Sequence, residues 1–186
     1  IMTGNVHEGD ARSYTDCMLM TASSRLVKDV NAVFDFIERP YSPVKFKELL
    51  VSPNEMKNKF VTLINNEIKN TKAGKPAYIK IKINHITDPV MVNKLYEASA
   101  AGVDIDLVVR GNCSLVTGIS GVSSNIRIHG IIDRYLEHAR IFVFAAGGEE
   151  QVFIGSADWM PRNLDNRVEV ITPVYDPAIK EEMKRV

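Results

Sequence analysis

Residues 77–86, "AYIKIKINHI", alternate apolar and polar side chains, the pattern of a strand with two unlike faces. Asp88-Pro89 follows at once and has the chemistry of a helix start, a capping carboxylate with proline at the first helical position. The helix predicted from there runs to Ala101, and Gly102 ends it. Residues 103–111, "VDIDLVVRG", form the next strand, with Arg110 at its carboxyl end. Strand, helix and strand in this order define an α/β protein, a sandwich with a mixed, mostly parallel sheet flanked by helices. Ligands of such sheets sit at the carboxyl ends of strands, which makes Arg110 a candidate ligand residue.

The rest of the chain fits this frame. Met56, Phe60, Leu63, Ile64 and Ile68 recur at helical spacing in residues 54–73, with Ser52 and Pro53 suited to the start and Gly74 to the stop. The Gly/Ser-rich segment 111–125 reads as a loop, and it lacks the spacing of a nucleotide-binding Walker loop. "IRIHGII" is a short strand, residues 137–155 a hairpin around "AAGGEE", "RVEVITPV" a strand, and 176–186 a final helix.

A repeat also runs through the chain. Residues 2–30 align without gaps on residues 155–183 at a constant offset of 153. Thr3-Gly4-Asn5 falls on Ser156-Ala157-Asp158, and Tyr14-Thr15-Asp16 falls on Arg167-Val168-Glu169. The match is one of pattern rather than identity. It divides the chain into residues 1–39, the tail of a first α/β half, and residues 44–186, a whole second half. The proline-bearing "ERPYSP", 38–43, is the join. The opening "IMTGN" reads as the middle of a pattern, which places the body of the first half upstream of Ile1.

Composition narrows the function. Lys plus Arg and Asp plus Glu number 23 each, so the chain lacks the basic excess of a bulk nucleic-acid or anionic-membrane binder. A local basic pocket remains compatible with that balance. Cys17 and Cys113 stand far apart with no metal-ligand spacing, which fits a reducing cytoplasm. No apolar run approaches the roughly 20 residues of a membrane-spanning helix, and no signal peptide is visible.

The chemistry concentrates near the hairpin. His138 and Arg140 share one face of a strand, being two residues apart. Imidazole can attack phosphorus or carry a proton near neutral pH. Arginine offers permanently charged, bidentate contacts, and the Gly155–Asp158 turn offers amides and a serine hydroxyl to phosphoryl oxygens. Arg162 and Arg167 either pair with Asp165 and Glu169 on the surface or face phosphate. Asn5 and Asp158 are expected to hold turns. Lys80 is read as part of a solvated strand face and Asn84 as nearer the site. His7, His85 and His129 lack partner spacing and are read as structural.

His138, Arg140 and the Gly155–Asp158 turn loosely resemble the phospholipase D superfamily, which carries His-x-Lys with a downstream Gly-Ser-x-Asn in two copies. Here Arg140 replaces the lysine, and Ala145 and Ala146 stand near where those enzymes carry an aspartate. A second resemblance covers residues 3–186. "ARSYTD", "AGKPAYIKIKINHITDP", "LYEASAAGVDIDLVVRGNCSL", "SSNIRIHGIIDRYLEHARIFVF" and "IGSADWMPRNLDNRVEVITPV" are similar to the carboxyl-terminal, phospholipase-D-like part of bacterial polyphosphate kinases of the first type. "NVHEG" and "NHITD" are local departures from that pattern.

The resemblance implies reversible transfer of the ATP γ-phosphoryl group to inorganic polyphosphate through a phosphohistidine upstream of Ile1. It implies that Tyr14, Arg110 and His138 bind ATP and that His138 assists the transfer. It also implies magnesium held by residues upstream, so that no metal ligand falls in this chain. The partners implied are ATP or ADP and polyphosphate, with no nucleic acid. A dimer or tetramer of the full enzyme is expected, in the cytoplasm, with membrane association left open. The chain alone is expected to be inactive. Rival readings are a phospholipase D or nuclease-like phosphodiesterase and a non-catalytic polyanion-binding module.

Overall fold

Fourteen α-helices and strands lie among residues 1–41 and 43–185, which the computed structural model describes. Ser42, in the expected join, and Val186, the expected last residue of the final helix, lie outside the described residues. In chain order the elements are α1 (Glu8–Ala11), β1 (Tyr14–Thr15), α2 (Ser24–Glu38), β2 (Leu50–Ser52), α3 (Met56–Lys72), β3 (Tyr78–Ile83), α4 (Pro89–Ala100), β4 (Asp104–Val109), β5 (Ile126–Gly130), β6 (Leu136–Glu137), β7 (Arg140–Phe144), β8 (Gln151–Gly155), β9 (Glu169–Val174) and α5 (Pro177–Met183).

Seven strands form one sheet in the order β2-β9-β8-β7-β3-β4-β5. The sheet is mixed, as expected. Five of its seven strands point the same way, but β7 and β9 run against them. Because those two are interleaved among the others, only the β3–β4 and β4–β5 pairings are parallel. The expectation of a mostly parallel sheet therefore holds for strand direction and fails for neighbour pairing. The cause is the hairpin: β7 and β8 are joined by a short turn, and a short turn can link only antiparallel strands.

The helix-start chemistry works as the sequence predicts. Asp88 accepts from the backbone N–H of Val90 (3.0 Å) and of Met91 (3.1 Å), with Pro89 at the first turn. Asp176-Pro177 repeats the device at α5. The expected start of α3 is corrected. Ser52 ends strand β2, where its hydroxyl donates to the Arg167 carbonyl at 2.8 Å, and the helix begins only at Met56. "LVS", 50–52, pairs with β9, and that pairing outweighs the local helix-start signal.

Both faces of the sheet centre are covered. Phe60 and Ile64 of α3 and Leu95 of α4 pack with Ile79, Ile81, Phe142, Phe144 and Trp159 on one face. Ile141, Val143, Val152, Ile154 and Val174 line the other, against Ile179 and Met183 of α5. Burying side chains of this size contributes about 1.5–3 kcal/mol each, which fixes β7 between two apolar layers and so aims its first residues. Outside the main sheet, β1 pairs in parallel with β6, Tyr14 opposite Leu136 and Thr15 opposite Glu137. This small sheet ties the first residues of the chain to the entrance of β7. Among the described residues no helix is long and apolar enough to cross a membrane.

Candidate functional site

β7 opens with the residues that build the site. Ala139 and Arg140 are buried, and His138 is half-buried just ahead of the strand. The backbone N–H of His138 donates to the Thr15 carbonyl at 3.1 Å, which extends the β1–β6 pairing and orients the imidazole. His138 Nδ1 lies 3.0 and 3.2 Å from the two carboxylate oxygens of Asp16. That carboxylate has only oxygen acceptors to offer, so Nδ1 carries the proton. Nε2 lies 3.1 Å from Arg140 Nη1, a pure donor, so Nε2 presents its lone pair. His138 is thus a neutral ring with a fixed tautomer, its Nε2 lone pair turned toward Arg140. Burial pushes its pKa below the usual imidazole value, Arg140 pushes the same way, and Asp16 opposes both.

Two hydrogen-bonded chains hold this arrangement. Thr3 donates to Asp16 at 2.7 Å, and the Cys17 N–H donates to the Thr3 hydroxyl at 3.0 Å. Gly4 passes so close to Asp16 that an added Cβ would lie 2.1 Å from a carboxylate oxygen, so a side chain there would expel the aspartate. On the other side, Arg140 Nη1 donates to the carbonyls of Thr3 and His138, both at 2.8 Å. Its Nε and Nη2 face Asp158 at 3.3 and 3.2 Å. Asp158 in turn accepts from the backbone N–H groups of Asn84 and His85. Arg140 and Asp158 are both nearly buried, and the many donors around Asp158 are what make such a pair tolerable.

The three residues singled out in the sequence come together. Arg110 reaches Asn84 Oδ1 through Nε at 3.1 Å, so a buried asparagine aims it. Arg110 and His138 line one cavity of about 280 Å³. The Tyr14 ring lies 4.9 Å from the His138 ring and lines an adjoining cavity of about 390 Å³, which also takes in Arg110. Arg110 therefore borders both spaces.

Four guanidinium groups, of Arg110, Arg140, Arg162 and Arg167, line the smaller cavity against two carboxylates, of Asp158 and Glu169. The carboxylates are already engaged: Asp158 by Arg140, and Glu169 by Ser156 and, at 2.7 Å, by Asn163. Arg162 and Arg167 do not take the expected partners, since Asp165 pairs with Lys57. Among the described residues neither arginine makes an ion pair. The cavity is built for an anion with several oxygens.

Some participants were missed in the sequence. Thr3, Asp16 and Glu169 could have been found from the repeat, whose offset sets Thr3 on Ser156 and Asp16 on Glu169. His85, expected to be structural, accepts the Asn112 N–H and also lines the cavity. Lys80 is exposed and lies over the Tyr78 ring, while Asn84 is buried behind the site, as the reading of that strand had them. Among the described residues no group of three His, Cys, Asp or Glu side chains could hold a metal ion.

A mixed sheet flanked by helices, with its central strand β7 led in by His138, is a phospholipase-D-like fold of the α/β class. NucT from Helicobacter pylori superposes on 74% of this chain with a TM-score of 0.52 at 15% identity, a likeness of fold alone. Residues 49–186 match the model of polyphosphate kinase C-terminal domain 2, and residues 1–43 that of C-terminal domain 1. The chain belongs to the polyphosphate kinase family. It is 52% identical over 183 residues to the polyphosphate kinase of Vibrio cholerae and 46% identical to that of Escherichia coli K12, covering 98% of this chain in each case. The crystal structure of polyphosphate kinase from Porphyromonas gingivalis superposes on the whole chain with a TM-score of 0.94 at 45% identity. The chain spans about a quarter of the length of these relatives, 26% and 27% of the first two and 28% of the third.

Proposed function

We propose that this chain is the carboxyl-terminal part of an enzyme that reversibly transfers the ATP γ-phosphoryl group to inorganic polyphosphate. In this reading residues 1–39 and 44–186 belong to two phospholipase-D-like halves that share one phosphate site. A histidine elsewhere in the full enzyme attacks the γ-phosphorus, and the bond to the bridging oxygen of ADP breaks. A terminal oxygen of the polyphosphate chain then attacks that phosphorus, and the histidine nitrogen leaves. Covalent catalysis divides one hard transfer into two easier ones.

The observation that carries this reading is the pairing of a neutral, tautomer-fixed His138 with a cavity lined by four guanidiniums and two engaged carboxylates. The arginines offset the charge of the phosphoryl oxygens. Arg110 and Tyr14 border the space for the nucleotide, and His138 holds or passes a proton at Nε2. Asp158 and Glu169 are taken by side chains of this chain, and in this reading magnesium is held by residues elsewhere in the full enzyme. The full enzyme is expected to be a cytoplasmic homo-oligomer whose partners are ATP or ADP and polyphosphate.

The test uses the full-length enzyme, wild type and His138→Ala, with magnesium and γ-labelled ATP. Wild type is expected to show acid-labile, base-stable label on protein and acid-insoluble polymer. His138→Ala is expected to lose polymer formation by roughly 10²–10⁴-fold, the usual weight of a positioned proton-transfer group. Absence of label and polymer from wild type would overturn the transfer reading and direct attention to phosphodiesters. Unchanged polymer in His138→Ala would reduce this part to a binding module.

A further inference from the structure

His85 sits outside the constellation just described, yet its imidazole is as firmly set as that of His138. Its Nδ1 accepts the backbone N–H of Asn112 at 3.0 Å. That nitrogen therefore carries no proton, and the ring's one proton sits on Nε2. The ring's Nδ1–Cε1 edge lies against the chain at Gly111, where an added Cβ would stand 2.4 Å from Cε1 and 2.7 Å from Nδ1. Only a residue without Cβ admits the ring. The backbone of His85 is pinned as well, its N–H donating to Asp158 and its carbonyl accepting from Trp159 N–H at 3.1 Å. Among the described residues Nε2 has no hydrogen-bond partner, and the side chain lines the cavity with Arg110, His138, Arg140 and Arg162.

We infer that His85 is an additional phosphate-binding residue, donating Nε2–H as a neutral group to a phosphoryl oxygen in this cavity. The inference rests on the phosphate-site reading above and adds a contact to it. Charging this ring would place a proton on Nδ1, facing the Asn112 N–H, and would add a cation beside Arg110, Arg140 and Arg162. Both effects keep it neutral. The depressed pKa, caused first by burial and opposed mainly by Asp158, agrees with that. A neutral donor among guanidiniums suits a site that must release its ligand. It adds direction without adding charge. His138 differs in the opposite sense, since it presents a lone pair where His85 presents a proton.

The test is isothermal titration of inorganic tripolyphosphate into the full-length enzyme, wild type, His85→Phe and His85→Gln. Phenylalanine keeps a flat ring over Gly111 without the donor, and glutamine restores an amide N–H. His85→Phe is expected to weaken binding about tenfold, as loss of a hydrogen bond to a charged group does, with His85→Gln within roughly threefold of wild type. In turnover the loss should fall mainly on KM for ATP rather than on kcat. Wild-type affinity in His85→Phe would overturn the inference and leave the site reading standing. Equal loss in both variants would make His85 a structural support for the 111–112 turn and overturn it too. If wild type itself fails to bind tripolyphosphate, the site reading and this inference fall together.

Discussion

Two carboxylates at equivalent places in the repeat, Asp16 and Glu169, have been given different work. Each accepts from a hydroxyl thirteen residues earlier, Asp16 from Thr3 and Glu169 from Ser156. Beyond that they diverge. Asp16 holds the Nδ1 of His138, whereas Glu169 holds the side-chain amide of Asn163. The turns that follow the hydroxyls differ as well. Asp158 is buried and receives Arg140 and two backbone N–H groups, while its counterpart Asn5 is exposed and its side chain, among the described residues, reaches only Asp10. A shared scaffold can thus keep the hydroxyl–carboxylate link and exchange everything attached to it. The second turn is wired into the core, and the first is wired to the second through Arg140 and the β1–β6 pairing.

The sharpest way to break that asymmetry is to remove its link. Arg140→Ala would leave the Asp158 carboxylate buried with its cation gone, and would free the Thr3 carbonyl. Removing one member of a buried pair costs about 3–5 kcal/mol. Asn5→Ala, at the equivalent turn, should cost less than about 0.5 kcal/mol, as exposed substitutions do. Urea unfolding of the two variants measures the contrast. Equal costs would mean that the second turn is no more a structural anchor than the first.

A finer comparison sets Asp16→Asn against Glu169→Gln. Each keeps shape and removes charge, so each should lose about 1–3 kcal/mol of stability through weakened hydrogen bonds to a charged group. Only Asp16→Asn should move His138. Asp16 is the partner that opposes burial and Arg140, so its loss should lower the His138 pKa further. The Cε1–H signal of His138, followed through an acid titration by NMR, would report this. A shift of the same size in Glu169→Gln would mean that the two carboxylates act on His138 alike.

Much of this was legible before any coordinates. The alternation in residues 77–86 and the Asp88-Pro89 start gave β3 and α4 because period and capping are local properties. Arg110 and His138 were visible because strand ends and a His-x-Arg step place charge predictably. The pairing directions of β7 and β9 were not visible, since they depend on which strands meet after the hairpin folds. β6 and its union with β1 escaped because two-residue strands have no period to detect. His85 was passed over for a related reason. Its ring is set by Gly111 and Asn112, more than 20 residues away, and spacing within a strand says nothing about a ring seated on a distant turn.

The smallest effect sought is a pH dependence that both histidines share. Their folded-state pKa values lie below the 6.5 of an ordinary imidazole. The unfolded chain therefore binds more protons just below pH 6.5, and stability must rise with pH through that window. The contribution is complete above 6.5 and is lost as pH falls through the lowered folded values. Burial lowers both values first, helped by Arg140 and Arg110 and opposed by Asp16 at His138, and helped by Arg110, Arg162 and Arg140 and opposed by Asp158 at His85. Carboxylates also titrate on the acid side, so the useful quantity is a difference. Melting temperatures of wild type and of a His85→Phe, His138→Gln double variant should converge as pH is lowered from neutrality. The wild type should fall more steeply, because only it has imidazoles that folding forces to shed protons. Parallel curves would mean that the two rings charge in the folded protein as readily as in the unfolded one. The neutral, tautomer-fixed histidines that distinguish this site would then have to be given up.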